Sequence, residues 1–317
     1  MQTILVTGGA GFIGSHFLNT FVSRESHIRF LNVDSLTYAS DQNRIQTSVK
    51  NAPNYSFEHV DISEGESLEN IYKKHQPTDV IHFAGETHVD RSIIDPDIFI
   101  RSNIVGTKNL LECHRKYSKG RFHYVSTDEV YGDISEGNFS KETDVLSPSS
   151  PYSASKAAAE MLVMAYSRTY KVDSTISRGS NTYGVGQYPE KLIPLSLKKL
   201  SLGKKISLYG DGLNVRDWLS VDDHVGAIWE IFTRGKNSEI YNIGASNPLT
   251  NKEIIELLLE LLGKDTSWIE HTTDRPGHDR RYALDTTKIE HMLDWKPISD
   301  FQAEIKKIIA TFPGLQK

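Results

Sequence analysis

Two stretches of the chain hold residue types whose spacing could do acid–base chemistry. In Ser126-Thr127-Asp128-Glu129-Val130-Tyr131-Gly132 a hydroxyl pair stands directly before two carboxylates, and Tyr152 and Lys156 follow downstream. Two adjacent acids need not share a role. Burial raises one pKa while hydrogen bonding holds the other ionised, so one site acquires an acid and a base at a single pH. Tyr152 and Lys156 are i and i+4, which places them on one face of a helix. An ammonium near a phenol lowers the phenol pKa and also holds a cofactor ribose, so the phenolate can take a hydroxyl proton as a hydride departs. Alone, each set also describes ordinary residues: a capped strand end with solvated acids, and a tyrosine and lysine on a helix surface. Their context favours chemistry.

The acids must be positioned by a strand. The apolar run 122–125, bounded by Gly120 and Gly132, reads as a buried parallel strand, and in open α/β sheets ligands bind outside the carboxyl ends of strands. At the start of the chain the β-rich run 2–7 leads into Gly8-Gly9-Ala10-Gly11-Phe12-Ile13-Gly14. Gly8 allows the tight turn, Gly11 lets backbone approach a pyrophosphate, and Gly14 lets the next helix sit against the strand. That helix, 12–22, aims its amino end at the phosphates. A second strand, 28–33, ends in Asp34, whose carboxylate would bind the adenosine ribose hydroxyls and disfavour a 2′-phosphate, selecting NAD over NADP.

The alternation continues with strand 55–60 ending in Asp61-Ile62 near the adenine, helix 66–75, and strand 80–83 running into Ala84 and Gly85, small enough for close approach of the cofactor. An amphipathic helix, 104–117, follows, with Asn103 capping or bracing it. Pro148 and Pro151 punctuate a loop that opens the helix 152–170. These alternating elements predict an α/β fold, a Rossmann-type doubly wound parallel sheet. Residues 174–178 form a sixth strand, and the loop 179–184 leaves for a smaller, discontinuous α/β lobe. Residues 218–221, a helix at 222–233 and a strand at 240–243 are expected to return to the main sheet. The cofactor domain then comprises 1–178 plus about 216–243, and the second lobe about 179–215 plus 244–317, with helices at 254–262 and 301–309.

Composition limits the function classes. A net charge of −5 over 317 residues gives no field for nucleic acid. No stretch approaches membrane-spanning length and no leader precedes the first strand, so a cytoplasmic protein is expected. Cys113 is the one cysteine, it lies in an apolar-periodic stretch, and it suits helix packing in a reducing compartment. His271 and His278 are isolated, and no metal site is expected.

Over nearly its whole length the sequence resembles the extended short-chain dehydrogenase/reductase family, and within it the nucleoside-diphosphate-glucose 4,6-dehydratases, those acting on dTDP-glucose above all. The resemblance is carried by TGGAGFIG at 7–14, ETHVDRSI at 86–93, STDEVYG at 126–132, SPYSASKA at 150–157, QYPEKLIP at 187–194, LYGDGLNVRDWL at 208–219 and DRPGHDRRY at 274–282. The first and fourth are shared by the whole extended family, while the acid pair and the last segment are more specific. The resemblance implies an NAD-dependent hydro-lyase of deoxysugar (rhamnose-type) biosynthesis that converts dTDP-glucose to dTDP-4-keto-6-deoxyglucose. In it Tyr152, supported by Thr127 and Lys156, is the base at the sugar 4-hydroxyl. Glu129 removes the C5 proton, protonated Asp128 donates to the departing 6-hydroxyl, and the hydride taken from C4 returns to C6.

The same resemblance implies cofactor contacts from Gly8, Gly11, Phe12, Ile13, Gly14 and Asp34, from Asp61, Ile62, Phe83, Ala84 and Gly85, and from Tyr152 and Lys156. Sugar and nucleotide contacts fall to Thr87, His88, Thr127, Asn181, Glu190, Lys191, Leu192 and Tyr209. Arg216 clamps the diphosphate, a planar guanidinium being suited to bidentate contacts. Asn251, Arg275 and His278 close over base and phosphates. The family also implies a homodimer packed through two long helices, here 104–117 and 152–170. The sequence departs from the dTDP-glucose enzymes at Gly179, where cysteine is usual, Thr182 for asparagine, Val185 for proline, Gly85 for alanine and Thr87 for serine. Arg178-Gly179 resembles the UDP-glucose dehydratases instead. A UDP-glucose 4,6-dehydratase, a nucleotide-sugar 4-epimerase and a non-enzymatic NAD-binding sensor are the alternatives.

Overall fold

Strands covered on both faces are buried along their whole length, and Thr3–Thr7 and Phe122–Thr127 are buried at every position. The computed structural model describes residues 2–315; Met1, Gln316 and Lys317, the outermost residues of the two expected lobes, lie outside the described residues. Its strands in chain order are β1 Thr3–Thr7, β2 Arg29–Asp34, β3 Tyr55–His59, β4 Asp79–His82, β5 Phe122–Thr127, β6 Ser174–Gly179, β7 Asn181–Tyr183, β8 Ile206–Tyr209, β9 Val215–Ser220, β10 Glu239–Ile243, β11 Pro248–Thr250 and β12 Ile269–Thr272. Seven of them form one parallel sheet in the order β10-β6-β5-β4-β1-β2-β3. The Rossmann-type doubly wound arrangement is therefore present, and the strand order reverses beside β1, where such folds bind ligands.

Helices cover both faces. On one, Phe17 and Phe21 of Phe12–Arg24 meet Trp229 of Val221–Arg234, with Phe21 and Trp229 stacked at 4.6 Å between centroids. On the other, Leu68 of Gly65–His75, Leu110 and Leu111 of Gly106–Tyr117, and Val163 of Pro151–Tyr170 close the second core. Ser150 and Ser153 cap the helix Pro151–Tyr170 reciprocally, fixing where the turn bearing Tyr152 and Lys156 begins.

The sheet interior carries two histidines whose ring nitrogens are all paired. His82 Nδ1 meets Thr7 Oγ1 at 2.7 Å and its Nε2 meets Thr107 Oγ1 at 2.9 Å. His123 meets Thr175 and Ser177 across β5 and β6 at 2.9 and 3.1 Å. Burial pushes both imidazoles down to about 3, so they are neutral cross-links between elements.

Two expectations change. Residues 218–221 do not join the main sheet. Both edges of β6 are taken, by β5 and β10, so β9 pairs with β7 and β11 in a separate three-stranded sheet. Its Asp217 accepts backbone N–H groups of Ala245 and Asn247. The helix Val221–Arg234 and β10 do return to the main sheet. Asn103, in turn, caps nothing: it lies inside a π-turn, Ile100–Val105, that runs straight into Gly106–Tyr117.

Behind β6, Arg178 and Glu160 form an ion pair that is 2% and 0% exposed, with Nη2 to Oε2 at 2.6 Å and Nη1 donating to Tyr131 Oη at 2.8 Å. Arg178→Met would strand the Glu160 carboxylate in the core. The expected loss is about 3–5 kcal/mol of unfolding free energy in urea titrations, and a loss below about 1 kcal/mol would refute a structural role for the pair.

Candidate active site

The glycine turn is built by close approach. Gly8 has φ +72°, and a Cβ there would lie 2.6 Å from the Ala84 backbone nitrogen. A Cβ on Gly14 would lie 2.3 Å from the Gly8 carbonyl oxygen, so the helix Phe12–Arg24 can start only with glycine at that position. Asp34, at the end of β2, accepts from Ala10 N at 2.9 Å, Leu36 N at 2.8 Å and Ser40 Oγ at 2.8 Å. Asp61 and Ile62 follow β3, and Phe83, Ala84 and Gly85 follow β4. Gly85 is compact for a reason: a Cβ there would meet Asn103 Oδ1 at 2.8 Å. Asn103 braces the site from behind, accepting from Glu86 N at 2.8 Å and donating to Glu86 O at 3.0 Å and Ser155 Oγ at 2.8 Å.

One cleft runs along these strand ends. It is lined by Gly8, Gly11, Phe12, Ile13, Gly14, Asp34, Asp61, Ile62, Phe83, Ala84 and Gly85, and continues past Thr127, Asp128, Glu129, Tyr152 and Lys156. Of the residues expected at the nucleotide sugar, Thr87, Asn181, Glu190 and Lys191 line the same cleft. The others surround it. Arg216, 5% exposed, donates to Asp279 O at 2.9 Å and lies over the Tyr282 ring. Asp90 joins Arg275 (3.0 Å) and Tyr209 (3.3 Å), while His278 Nδ1 is 2.6 Å from Asp274. His88 starts the helix Val89–Ile94, 3.8 Å from Glu190. Asn251 opens the helix Asn251–Leu261, and Leu192 packs against the apolar cluster of Ile193, Leu197, Ile254 and Leu258.

The reactive groups are set by burial. Thr127 caps a short turn, Asp128–Tyr131, that turns the acids inward. Asp128 is 3% exposed, and its carboxyl is raised to about 8 by burial and by neighbouring Glu129, with Arg216 opposing. Glu129 is raised by burial too, but Lys191, Arg275 and Arg216 all pull it down. One acid is thus held protonated at neutral pH beside another that faces three cations. Tyr152 differs from expectation. Burial and the charge of Glu129 raise its phenol well above the usual range, and Thr127, not Lys156, is the side chain that lowers it. Lys156 donates to Val125 O at 2.7 Å, and burial brings its ammonium down to about 7.

Five buried side-chain atoms along this cleft have no hydrogen-bond partner: Ser126 Oγ, Asp128 Oδ2, Ser180 Oγ, Asn181 Oδ1 and His224 Nε2. Buried polar atoms are nearly always paired, so this cluster marks where ligands bind. Together with the glycine turn and Asp34 it fits a dinucleotide along the sheet. Ser126 and Ser180 entered the sequence reading only as members of the strand end 126–132 and the loop 179–184, with no ligand role, and His224 was not singled out at all. His224 is brought to β6 only by the return of the helix Val221–Arg234, and no local motif announces it. It also explains two of the sequence departures: a Cβ on Gly179 would lie 2.6 Å from its ring, and Thr182 Oγ1 meets its Nδ1 at 2.7 Å.

A family model described as GDP-mannose 4,6 dehydratase matches residues 5–308. The chain belongs to that family. The dTDP-glucose 4,6-dehydratase of Shigella flexneri is 44% identical, covering 96% of this chain and 91% of that protein. The dTDP-glucose 4,6-dehydratase of Streptomyces venezuelae, solved with NAD, is 42% identical with a TM-score of 0.93, covering 97% and 95% of the two chains. A Thermus thermophilus UDP-glucose 4-epimerase, in complex with NAD, shares 30% identity and a TM-score of 0.91 over 99% of both chains. Dehydratase and epimerase thus share this fold, and the contents of the cleft must separate them.

Gly14→Ala forces a methyl onto the Gly8 carbonyl. Purified variant is expected to carry less than about a tenth of the bound NAD found in the parent, read from absorbance after denaturation, with the sheet intact by circular dichroism. Full retention would show that the helix start is not part of the cofactor site.

Proposed function

We propose that this protein is an NAD-dependent dTDP-glucose 4,6-dehydratase, a hydro-lyase that forms dTDP-4-keto-6-deoxyglucose for deoxysugar synthesis. The observation that carries this is the Asp128–Glu129 pair at the end of β5, one acid held protonated and the other surrounded by cations. An epimerase needs no such pair. Gly8, Gly11, Gly14 and Asp34 would hold NAD, which would supply the acceptor for the C4 hydride and its return to C6. Tyr152, aligned by Thr127, would take the O4 proton as its phenolate, a form that the positive charge of oxidised NAD beside it would favour against burial, and Lys156 would hold the ribose. The resulting ketone acidifies C5–H, which Glu129 removes. Asp128 gives its proton to O6, which leaves as water, and C5 is then reprotonated. Arg216 and Arg275 hold the diphosphate. Residues 1–178 plus about 221–243 form the cofactor domain, which also presents the acids to the sugar, and the remainder, now including β9, closes over the sugar nucleotide.

With dTDP-glucose deuterated at C4, the product is expected to lose one water and to carry the label at C6. A 4-epimer with the label still at C4, or unchanged substrate with NAD-loaded protein, would refute the assignment. Asp128 acts in its protonated form, which exists below about 8, so the rate is expected to fall as pH rises through that value. Asp128→Asn should cost roughly 10²-fold or more in turnover. Glu129→Gln should abolish solvent-deuterium entry at C5, and undiminished entry would remove Glu129 as the base.

The protein is further read as a homodimer. Val105, Met161 and Tyr170 put apolar surface on the helices 104–117 and 152–170, the pair expected at the interface, and Ile93, Ile94 (39% and 84% exposed) and Ile100 add more on the segments just before the first of them. Light scattering should give twice the 35.7 kDa chain mass, and the monomer mass would reject the dimer. Among the described residues no helix is long and apolar enough to cross a membrane. With its lone thiol buried and free, the chain suits a reducing cytoplasm.

A further inference from the structure

The cleft has a direction. Asp34 marks its adenosine end, the glycine turn its pyrophosphate, and the ends of β4, β5 and β6 its far end. His224 lies at that far end. It is 2% exposed, packed beneath the carboxyl end of β6, and lines the cleft beside Gly179, Ser180 and Asn181. Gly179 leaves the ring its space: both Cε1 and Nε2 lie 2.6 Å from where a Cβ would stand.

The hydrogen bonds around the ring fix what its free nitrogen offers. Thr182 Oγ1 lies 3.2 Å from Ser180 O and 2.7 Å from His224 Nδ1. The hydroxyl has one hydrogen, and donating it to the carbonyl leaves a lone pair to receive Nδ1–H. The backbone of Thr182 is held in turn, its carbonyl accepting from Gln187 Nε2 at 2.7 Å. Nε2 is then a bare lone pair, buried and without a partner. Burial also pushes the imidazole down to about 4, so it stays neutral. Ser180 Oγ, a hydroxyl donor, is unpartnered alongside. An acceptor and a donor left open together suit a primary amide, which carries N–H and C=O on one carbon.

We propose that His224 is a positioning residue whose Nε2 accepts an N–H of the carboxamide on the cofactor's nicotinamide ring, with Thr182 fixing the tautomer that makes this possible. The inference rests on NAD being the cofactor. Its consequence is rotational: the amide anchors the ring, and the ring then presents one face to the sugar when hydride leaves C4 and again when it returns to C6.

The test uses 3-acetylpyridine adenine dinucleotide, in which a methyl replaces the amide nitrogen. Purified protein is equilibrated with an equal mixture of this analogue and NAD, freed of unbound dinucleotide, denatured, and its bound fraction read by mass spectrometry. The wild type is expected to hold NAD over the analogue by on the order of tenfold. His224→Leu should hold both about equally, and His224→Gln, which keeps an acceptor oxygen, should regain part of the preference. Thr182→Val removes the partner of Nδ1 at similar volume and should lose part of it, which carries the test if His224→Leu does not fold. Equal preference in wild type, His224→Leu and Thr182→Val would overturn the proposal. A wild type that holds neither dinucleotide would overturn the cofactor reading itself, and the proposal with it.

Discussion

The parallel register of β5 against β6 is the constraint on which the site depends. Six consecutive pairs run from Phe122 opposite Ser174 to Thr127 opposite Gly179, and His123 pins them by bonding to Thr175 and Ser177. Side chains alternate along a strand, so a slip of one residue would turn every one of them to the other face. With this register, Asp128 and Glu129 leave the sheet beside the strand end that becomes Ser180 and Asn181. Lys156, by donating to Val125 O, ties the neighbouring helix to the same strand.

Electrostatics then divides the labour. Asp128 is buried against its own neighbour's charge, whereas Glu129 faces Lys191, Arg275 and Arg216. Those three cations come from segments far from β5 in the chain: the entry to the helix Leu192–Ser201, the loop after β12, and β9. The two acids would be alike on an isolated strand. They become an acid and a base only when these segments close around them, which gives the small sheets a chemical purpose.

A second theme is the neutral buried histidine. His82 and His123 lie on strands of the sheet and His224 on the helix packed against β6, each bonded to a threonine or serine hydroxyl. For His82 and His123 both ring nitrogens are satisfied, and the side chain is a structural cross-link. His224 has one nitrogen left over at the cleft, and this difference separates a structural imidazole from one available to a ligand.

Much of this protein was legible in one dimension. The glycine spacing, the acid that ends β2 and the one that follows β3, the alternation of strands and helices, and the i, i+4 placement of Tyr152 and Lys156 follow from local rules: backbone freedom, strand period and helix period. Features that depend on which edges are already occupied were not legible. Of residues 218–221, expected to return to the main sheet, 218–220 are in a strand, β9, but it pairs elsewhere because β6 has no free edge, and Val221 already begins the next helix. Asn103 reads as a cap or brace of the helix after it, yet it sits in a π-turn and braces the Glu86 backbone and Ser155 instead. The difference between Asp128 and Glu129, the high phenol of Tyr152 and the apposition of His224 to Gly179 were decided by tertiary structure alone. Desolvation and long-range charge depend on what surrounds a group in three dimensions, and sequence spacing encodes neither.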